Sequence, residues 1–428
     1  MKALLSMAAH SAWHRRGTLA LVVLSIALST LLLLTLERLR TDVRDSFTQA
    51  VSGTDLIVGA RTGSVQLMLY AVFRIGGATN NISMSSLEAI AAHRAVSWIV
   101  PLALGDSHRG RPVLGTTPAY FENFLYGDRQ PLVRAQGRAF SGTLDGLYEV
   151  VIGAEVAQSL GYRLGDRLTL THGLGEPAGG VLSAEHADKP FTVVGILART
   201  ATPVDRSLHV SLQAITAIHL DWAGGAPMPG VTITAEQARK FDLQPKQVTA
   251  ALVGLKSRAA VFMVQRHVAE FEGEPLLAVL PGVALDELWD VLAVGEKALL
   301  AMSAMVAVVS LVGLVAVVLA GLGERRRELA VLRAVGAGPR HVLLLLAAEG
   351  ALVTGVGVLL GAAASAVLVA AGAPWLQQQF GIALRWATPT AAMWWLTAAV
   401  LAAGMLASLV PAFRAYRLSL ADGLSPRS

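Results

Sequence analysis

The residue types most often used in catalysis and metal binding occur in this sequence without the spacing of a known site. The chain has ten histidines and no cysteine, and it contains no G-x-x-x-x-G-K-[ST], H-E-x-x-H or G-x-S-x-G motif. Seven histidines fall in one central segment, and none of these has another histidine three or four residues away. They are His93, His108, His172, His186, His209, His219 and His267. We therefore predict no catalytic residue and no metal site, and expect these histidines to be hydrogen-bonded or at the surface.

The most informative charged segment runs from Gly323 to His341. Residues 324–335 are good helix formers, Gly336 can take the left-handed position after a helix, and Pro339 can begin the next helix. A short helix that exposes Arg and Glu side chains, and whose leucine side chains can enter a groove, would be suited to docking on another protein. The alternative is a solvated loop whose arginines only fix the membrane orientation. The docking interpretation assigns this role to Glu324, Arg325, Arg326, Arg327, Glu328, Leu332, Arg333 and Gly336.

The elements that must position this segment are four long apolar runs. Of the 428 residues, 54% are hydrophobic and only 15% are charged. A helix needs about 20 apolar residues to cross about 30 Å of hydrocarbon, and each run is long enough. We predict transmembrane helices at residues 17–36, 298–323, 342–372 and 387–413. The first run ends in Glu37-Arg38-Leu39-Arg40 without a small-residue cleavage site, so we interpret it as an uncleaved anchor.

Basic residues near the ends of these runs set the orientation, because cytoplasmic loops carry the excess of Lys and Arg. Residues 1–16, the loop 324–341 and the tail 414–428 are all net basic, and the tail includes Arg414 and Arg417. In contrast, segment 37–297 has 23 basic and 26 acidic residues, and the turn 373–386 has one arginine. Both termini are therefore predicted in the cytoplasm. The formal net charge of +5 then reflects a cytoplasmic rim and gives no reason to predict nucleic-acid binding.

The segment 37–285 is predicted to form a large extracytoplasmic α+β domain, in two parts that flank an irregular stretch at 173–189. Short β-branched runs bounded by Gly, Asp or Pro predict strands at residues 55–59, 149–153, 167–171, 191–197 and 230–234. Helical patterns lie at 85–93, with a capping box beginning at Ser85, and at 154–160, 235–240 and 245–258. The fold class is thus a membrane protein of four transmembrane α-helices, with both termini inside and this domain between spans 1 and 2.

Two segments beside the spans also have helical periodicity. Leu288, Val291 and Leu292 recur with a period that continues without a breaker into the second span, which predicts a helical stalk within residues 286–323. The apolar stretch 59–75 has a similar period. It fits either an amphipathic helix near the membrane or part of the domain core, and we favour the core.

The third run contains an unusual carboxylate and a pair of glycines. Glu349 is its only ionisable residue; we favour a position at the cytoplasmic interface, with an intramembrane functional position as the alternative. Gly357 and Gly361 have the small-xxx-small spacing that lets helices approach closely. We predict a helix-packing role for this pair.

Three segments carry a family resemblance. The loop 323–341 closely resembles the E-R-[RK]-R-E-[IL]-x-[VI]-L-R-A-[LV]-G-A signature of ABC-transporter permeases of the MacB, LolC/LolE and FtsX superfamily. The tail Pro411-Ala-Phe-Arg-Ala-Tyr-Arg-Leu is similar to the family ending P-A-x-R-A-x-R-L, although residues 419–423 depart from what usually follows. Residues 151–170 and 191–197 resemble the MacB-like periplasmic core domain. With the topology, the resemblance covers nearly the whole chain.

The resemblance implies a transport subunit of the bacterial inner membrane and not an enzyme. In the family the matched loop is the coupling helix that engages a cytoplasmic ABC ATPase, so ATP and Mg would bind to that partner and no cofactor to this chain. About sixteen residues precede the first span, which implies a separate ATPase polypeptide. The family plan further implies a dimer with a second copy or a related permease, and allows a periplasmic adaptor or lipoprotein.

Two function classes fit the resemblance. The first is a permease that exports or extracts an amphiphilic cargo such as a lipoprotein, peptide or small molecule by mechanotransmission. The second is an FtsX-like transducer that activates a periplasmic partner without moving cargo. A domain of about 260 residues is larger than FtsX-like transducers usually carry, so we favour cargo handling.

Overall fold

The computed structural model describes residues 16–50, 52–78, 80–173, 186–223, 226–228, 230–324, 338–380 and 388–417. The chain divides into two compact units. The outer unit contains Val43–Val291 and Leu376–Ala383. The membrane unit contains Met1–Asp42, Leu292–Trp375 and Leu384–Ser428.

The helices, in chain order, are α1 (Arg16–Gln49), α2 (Ser64–Met68), α3 (Met84–Ala91), α4 (Ala119–Asn123), α5 (Ala154–Leu160), α6 (Leu212–Ile218), α7 (Ala235–Ala238), α8 (Val261–Ala269), α9 (Pro281–Glu324), α10 (Pro339–Phe380) and α11 (Ala391–Arg417). A π-helical turn, Leu69–Phe73, continues α2. Short 3-10 turns occur at Leu144–Gly146, Pro203–Arg206 and Arg258–Ala260.

The strands are β1 (Leu56–Ala60), β2 (Ile82–Ser83), β3 (Val96–His108), β4 (Arg111–Thr116), β5 (Leu125–Tyr126), β6 (Gln130–Pro131), β7 (Arg134–Gly137), β8 (Glu149–Ile152), β9 (Arg167–Leu168), β10 (Thr171–His172), β11 (Phe191–Leu197), β12 (Leu208–Ser211), β13 (Trp222–Ala223), β14 (Ala226–Pro227), β15 (Gln247–Val248), β16 (Ala250–Leu255) and β17 (Leu276–Val279). All of them precede α9, so the described strands lie in the outer unit.

Four helices are long and apolar enough to cross a membrane, as the apolar runs predict. They are α1, α9, α10 and α11. The most hydrophobic windows of these helices are only 22–33% buried, which suits helices whose remaining apolar surface faces lipid. Helix α9 runs for 44 residues without a break, because no proline or described turn interrupts it after Pro281.

One mixed sheet of eleven strands organises the outer unit. Nine strands follow the order β17-β1-β16-β3-β4-β12-β8-β11-β7, while β10 pairs with β3 and β9 pairs with β11. The pairs β4–β12 and β8–β11 are parallel and the other pairs within this sheet are antiparallel. The sheet therefore joins segments from both ends of the domain sequence.

The sheet is buried on both faces, which explains why its central strands have few polar positions. Along β1, Ile57 enters one hydrophobic cluster while Leu56 and Val58 enter another, as the two-residue period of a strand requires. Along β8, Val151 joins the first cluster while Val150 joins a third. Continuous apolar runs are the expected sequence of strands covered on both sides.

Several predictions for the outer domain are wrong in detail. Residues 245–258 form β15 and β16 instead of a helix, and residues 230–234 contain no strand, since Thr234 accepts a hydrogen bond from Gln237 N–H as the N-cap of α7. The N-cap of α3 is Ser83 and not Ser85. The two predicted parts are one sheet, because β11 pairs with β7 and β8 across the stretch that was expected to separate them.

The structure bears on two segments for which the sequence leaves alternatives open, the apolar stretch 59–75 and the surroundings of Glu349. Residues 64–73 belong to the domain core, with Leu67, Met68 and Tyr70 almost fully buried. Helix α10 begins at Pro339, so Glu349 lies within one continuous helix and not at the start of a new one. Its side chain is half-buried.

Candidate functional site

The predicted docking segment lies at the end of the longest helix. Glu324 is the last residue of α9, and the other predicted docking residues, from Arg325 to Gly336, lie outside the described residues. In the predicted tail site, Arg414 is exposed on α11 and Arg417 is the last residue of that helix. The geometry of docking therefore stays a prediction, while the elements on either side of the loop are defined.

The first turns of α9 are part of the core of the outer unit. Ala284 and Leu285 are buried in the same cluster as Ile57, and Trp289 packs against that cluster. The Trp289 ring meets Phe47 of α1 edge-on at 5.7 Å between centroids. The guanidinium of Arg44 lies 5.9 Å from the centre of the Trp289 ring. These contacts fix the beginning of α9 to the end of α1 within the outer unit.

Ion pairs join the same two helices in the membrane unit. Arg40 Nε lies 2.9 Å from Glu296 Oε2, and Arg40 also contacts Glu37 at 3.4 Å. Arg38 Nε donates to Asp42 Oδ2 at 2.9 Å, with both side chains about nine-tenths buried. Charges at such depth are stable only when they are paired. This group forms a polar band on α1 and α9 next to the apolar spans.

The predicted glycine pair lies at a contact between α1 and α10. A Cβ atom added at Gly357 would lie 2.8 Å from the Cβ atom of Ile26. One added at Gly361 would lie 2.5 Å from the carbonyl oxygen of Ala27 and 2.7 Å from the Cβ atom of Thr30. The two helices can approach this closely only because these positions lack a side chain. The pair is thus an intrachain helix contact.

We expect Gly361→Ala to lower the thermal unfolding midpoint of the full chain, because the added methyl group has no room. Overpacking costs about 1–3 kcal/mol, which exceeds the roughly 1 kcal/mol that alanine gains over glycine in a helix. Gly355→Ala is the matched control on the same helix, since a Cβ atom there meets nothing within 4 Å. Unfolding in detergent checks this, and equal or higher stability of the Gly361 variant would contradict the packing role.

The membrane unit also contains an apolar cavity of about 430 Å³. Its walls come from α1, α10 and α11 and include Leu34, Val358 and Trp394. Arg38 is the charged residue among the lining side chains, and Ser365 adds a hydroxyl group. Such a lining can accept a hydrocarbon chain, and the Arg38 charge at this site is paired with Asp42.

A cluster of three histidines and an aspartate lies in the outer unit, at a position that the sequence did not indicate. Asp106, His172, His186 and His219 each offer one ligand atom within 4.8 Å of the others. His172 and Asp106 are cross-strand partners in β10 and β3. His219 follows the last residue of α6, and the backbone N–H of His186 donates to Leu170 O at 2.9 Å.

A β-bulge in β3 directs the Asp106 side chain toward this cluster. Between the pairs Leu104–Leu114 and Ser107–Pro112, two residues of β3 oppose one residue of β4, which is a β-bulge. Gly105 has a φ angle of 149°, which favours glycine. Bulges commonly redirect a side chain beside a functional site.

The electrostatics of the cluster favour a carboxylate and a neutral imidazole. Burial opposes ionisation of Asp106, but hydrogen bonds to His172 and His219 outweigh burial and lower its pKa to about 2. Burial, followed by the charge of His219, lowers the pKa of His186 to about 4. The His186 Nε2 atom is buried and has no hydrogen-bond partner among the described residues, a situation that costs about 1–3 kcal/mol.

Sequence reasoning missed this cluster because its members are far apart along the chain. Asp106 and His172 are separated by 66 residues, and His172 and His219 by 47. No local spacing rule joins such positions, and the pairing of β10 with β3 brings them together. The sequence shows the histidines and the aspartate, but it does not show that their side chains lie close together in the fold.

Two family models match the chain. The MacB-like periplasmic core domain matches residues 17–270, and the FtsX-like permease C-terminal region matches residues 300–420. The first match alone covers more than half of the chain. No curated protein sequence matches the chain significantly.

Solved structures with similarity to the chain include two outer domains. The periplasmic region of MacB from Actinobacillus actinomycetemcomitans is 11% identical, covering 56% of this chain and 97% of that structure, with a TM-score of 0.34. The extracellular domain of the noncanonic ABC-type transporter YknZ from Gram-positive bacteria is 12% identical, covering 53% and 98%, with a TM-score of 0.30. Membership rests on the two sequence-family matches. The chain therefore belongs to the MacB/FtsX family of ABC-transporter permeases, as a multi-pass inner-membrane protein with its large domain in the periplasm.

Proposed function

We propose that this chain is the permease subunit of an ABC transporter in which a separate cytoplasmic ATPase drives movement of the periplasmic domain. ATP and Mg bind to that ATPase, and the complex contains two permease chains, either two copies or a related pair. The movement exports or extracts an amphiphilic cargo by mechanotransmission. Members of the family work with a cytoplasmic ABC ATPase, which supports the first part of this proposal.

The unbroken course of helix α9 is the main support for the proposal. Its first turns, with Ala284 and Leu285, are buried in the core of the periplasmic domain. Its last residue, Glu324, begins the predicted coupling segment. The helix is unbroken over 44 residues, so a displacement of its cytoplasmic end is passed along the helix axis and is not absorbed by a loop.

The cavity of the membrane unit supports an amphiphilic cargo. Its apolar walls suit an acyl chain or an apolar peptide side chain, and Ser365 together with the Arg38 side chain, which is paired with Asp42, places polar groups at the same site. The size of the periplasmic domain also favours cargo handling, because FtsX-like transducers usually carry a smaller outer domain. A periplasmic adaptor or lipoprotein would be the partner that receives this cargo.

We expect Glu328→Lys and Arg333→Glu to release the ATPase from the permease. Each change reverses a charge in the segment that resembles the coupling helix, and an interfacial charge pair that becomes a like-charge pair costs several kcal/mol. Purification of the full chain from native membranes, with the co-purified ATPase quantified by mass spectrometry, tests this. A loss of at least tenfold in bound ATPase is expected.

Arg16→Glu is the matched control, because it reverses a charge on the exposed first turn of α1, on the predicted cytoplasmic side and outside the loop 323–341. It should retain the ATPase. If the wild-type chain carries no ABC ATPase, or if the two reversals leave binding unchanged, the segment is only a positive loop and the proposal fails. If ATPase binds, candidate cargoes are then tested by their stimulation of ATP hydrolysis.

A further inference from the structure

We propose that Asp106, His172, His186 and His219 bind one zinc ion in the periplasmic domain. The ligands are one oxygen and three imidazole nitrogens, and each residue offers one such atom within 4.8 Å of the others. This inference does not depend on the transport mechanism. It concerns side chains of the outer unit alone.

The separations between the ligand atoms match a zinc site. His172 Nδ1 lies 3.0 Å from His219 Nε2 and 3.1 Å from Asp106 Oδ1. His219 Nε2 lies 3.4 Å from Asp106 Oδ1. In a tetrahedral site with metal–ligand bonds of about 2.0–2.1 Å, neighbouring ligand atoms lie about 3.3 Å apart. Three of the four ligands therefore already form one face of the tetrahedron.

The outer hydrogen bonds orient His219 for metal binding. Its Nδ1 atom lies 2.8 Å from the carbonyl oxygen of Ile215 and donates to it. With this proton on Nδ1, Nε2 is the ring nitrogen that faces Asp106 and His172, and it can bind a metal ion when it carries no proton. A metal-bound histidine usually donates its other ring N–H to a carbonyl or carboxylate in this way, which fixes its tautomer.

A buried nitrogen of His186 supports the proposal independently of the hydrogen bonds of His219. The residue is only 2% exposed, and its Nε2 atom has no hydrogen-bond partner among the described residues. Its ring packs 4.6 Å from Trp222 and 5.0 Å from His219, centroid to centroid. A metal ion bound through this nitrogen would supply the partner that it lacks.

The neighbouring charges do not oppose a cation. Lys189 is fully buried close to His186 in sequence, but its Nζ atom lies 3.0 Å from both Asp221 Oδ1 and Asp188 Oδ2. Two carboxylates therefore compensate this ammonium group. Asp106 adds a further carboxylate inside the cluster.

The ligand set favours zinc over other common ions. Imidazole and carboxylate ligands suit zinc, whereas calcium and magnesium prefer six or more oxygens and copper(I) prefers sulfur. Four protein ligands leave no open position, which is typical of a structural site. His172 and His219 are partly exposed, with side-chain exposures of 32% and 24%, and provide the entry path. The ion would cross-link β3, β10 and the end of α6.

The test measures zinc bound to the untagged full chain in nanodiscs. The chain is stripped with a chelator, incubated with zinc chloride and desalted, and the metal is quantified by elemental analysis. We expect one zinc per wild-type chain and affinities at least about 100-fold weaker for His186→Gln and Asp106→Asn, because each removes or weakens a direct ligand. His93→Gln is the control, since the His93 ring contacts His267, outside the cluster.

Cobalt(II) provides a measurement that needs no variant. In the wild-type chain, a tetrahedral site gives intense visible absorption, and added zinc should abolish it by displacement. The proposal is overturned if the stripped wild type takes up no zinc, if bound cobalt shows only the weak spectrum of six-coordinate ions, or if the cluster variants bind zinc like the wild type. In those cases the four side chains form a hydrogen-bonded network through protonated histidines.

Discussion

We expect Val294→Pro to abolish movement of the periplasmic domain while the ATPase remains bound. Val294 is 74% exposed on α9, just after the last residue of that helix in the outer unit. Proline removes the hydrogen bond from residue 294 to residue 290 and its ring clashes with that carbonyl group, at a cost of about 3 kcal/mol or more. A kinked or broken helix should no longer pass a displacement from its cytoplasmic end to its buried beginning.

The absence of native cysteine makes this measurement direct. A cysteine introduced at Glu270, whose side chain is 72% exposed on the outer unit, can carry a single spin label per chain. In the proposed complex of two permease chains with the ATPase, the distance between the two labels should change when ATP is added to the wild type. In the proline variant we expect the distance distribution to stay the same with and without ATP.

Val294→Ala is the matched control, because alanine keeps the helix and removes the same exposed side chain. It should respond to ATP as the wild type does. A full ATP response in the proline variant would refute transmission along α9. Loss of the ATPase from that variant would instead assign α9 a role in assembly.

We expect acidic pH to destabilise the protein through the buried side chain of His209. This residue lies in β12 and is fully buried against Tyr120 and Phe121. Its Nδ1 atom contacts Val151 O at 3.3 Å, while Nε2 has no partner among the described residues. Burial, followed by the positive charge of Arg74, lowers the pKa of His209 from 6.5 to about 3.

Stability should therefore fall as the pH decreases below about 6.5. In that range the unfolded chain binds a proton at His209 that the native chain does not bind, so each pH unit costs about 1.4 kcal/mol until about pH 3. Between pH 7 and 4.5 this residue alone should lower the free energy of unfolding by about 3 kcal/mol.

Urea unfolding of the full chain, followed by tryptophan fluorescence at pH 7 and 4.5, checks this. His209→Phe fits the same aromatic surroundings and cannot take up a proton, so its loss of unfolding free energy between pH 7 and 4.5 should be smaller by about 3 kcal/mol. His267→Gln, at an exposed position, should keep the wild-type slope. Identical slopes for the wild type and the phenylalanine variant would show that His209 is not the source.

The membrane-spanning part could be predicted from sequence because its physical requirement is local. A helix satisfies its own backbone hydrogen bonds, so only the length of an apolar run decides whether it spans. Three of the predicted runs lie in α1, α9 and α10, and the fourth, 387–413, overlaps α11 from Ala391 onward. The contact of Gly361 with α1 needed the structure, because the spacing of small residues does not say which helix is the neighbour.

In the outer domain, strands with clear boundaries were predicted and apolar runs of mixed character were not. Residues 149–152 and 191–197 are strands as predicted, since Gly or Pro bounds them. Residues 250–255 form β16 although their residue types also fit a helix. Their state depends on pairing with β1 and β3, which lie far away in the sequence.

The sequence by itself determined the number of spans, the class of the outer domain and the family signature at residues 324–336, because each depends on residues close together in the chain. The histidine cluster was decided by the tertiary structure. A bulge in β3, the pairing of β10 with β3 and the end of α6 bring Asp106, His172 and His219 within 3.4 Å of one another. Such convergence follows from strand pairing across long loops, which no local pattern of residues records.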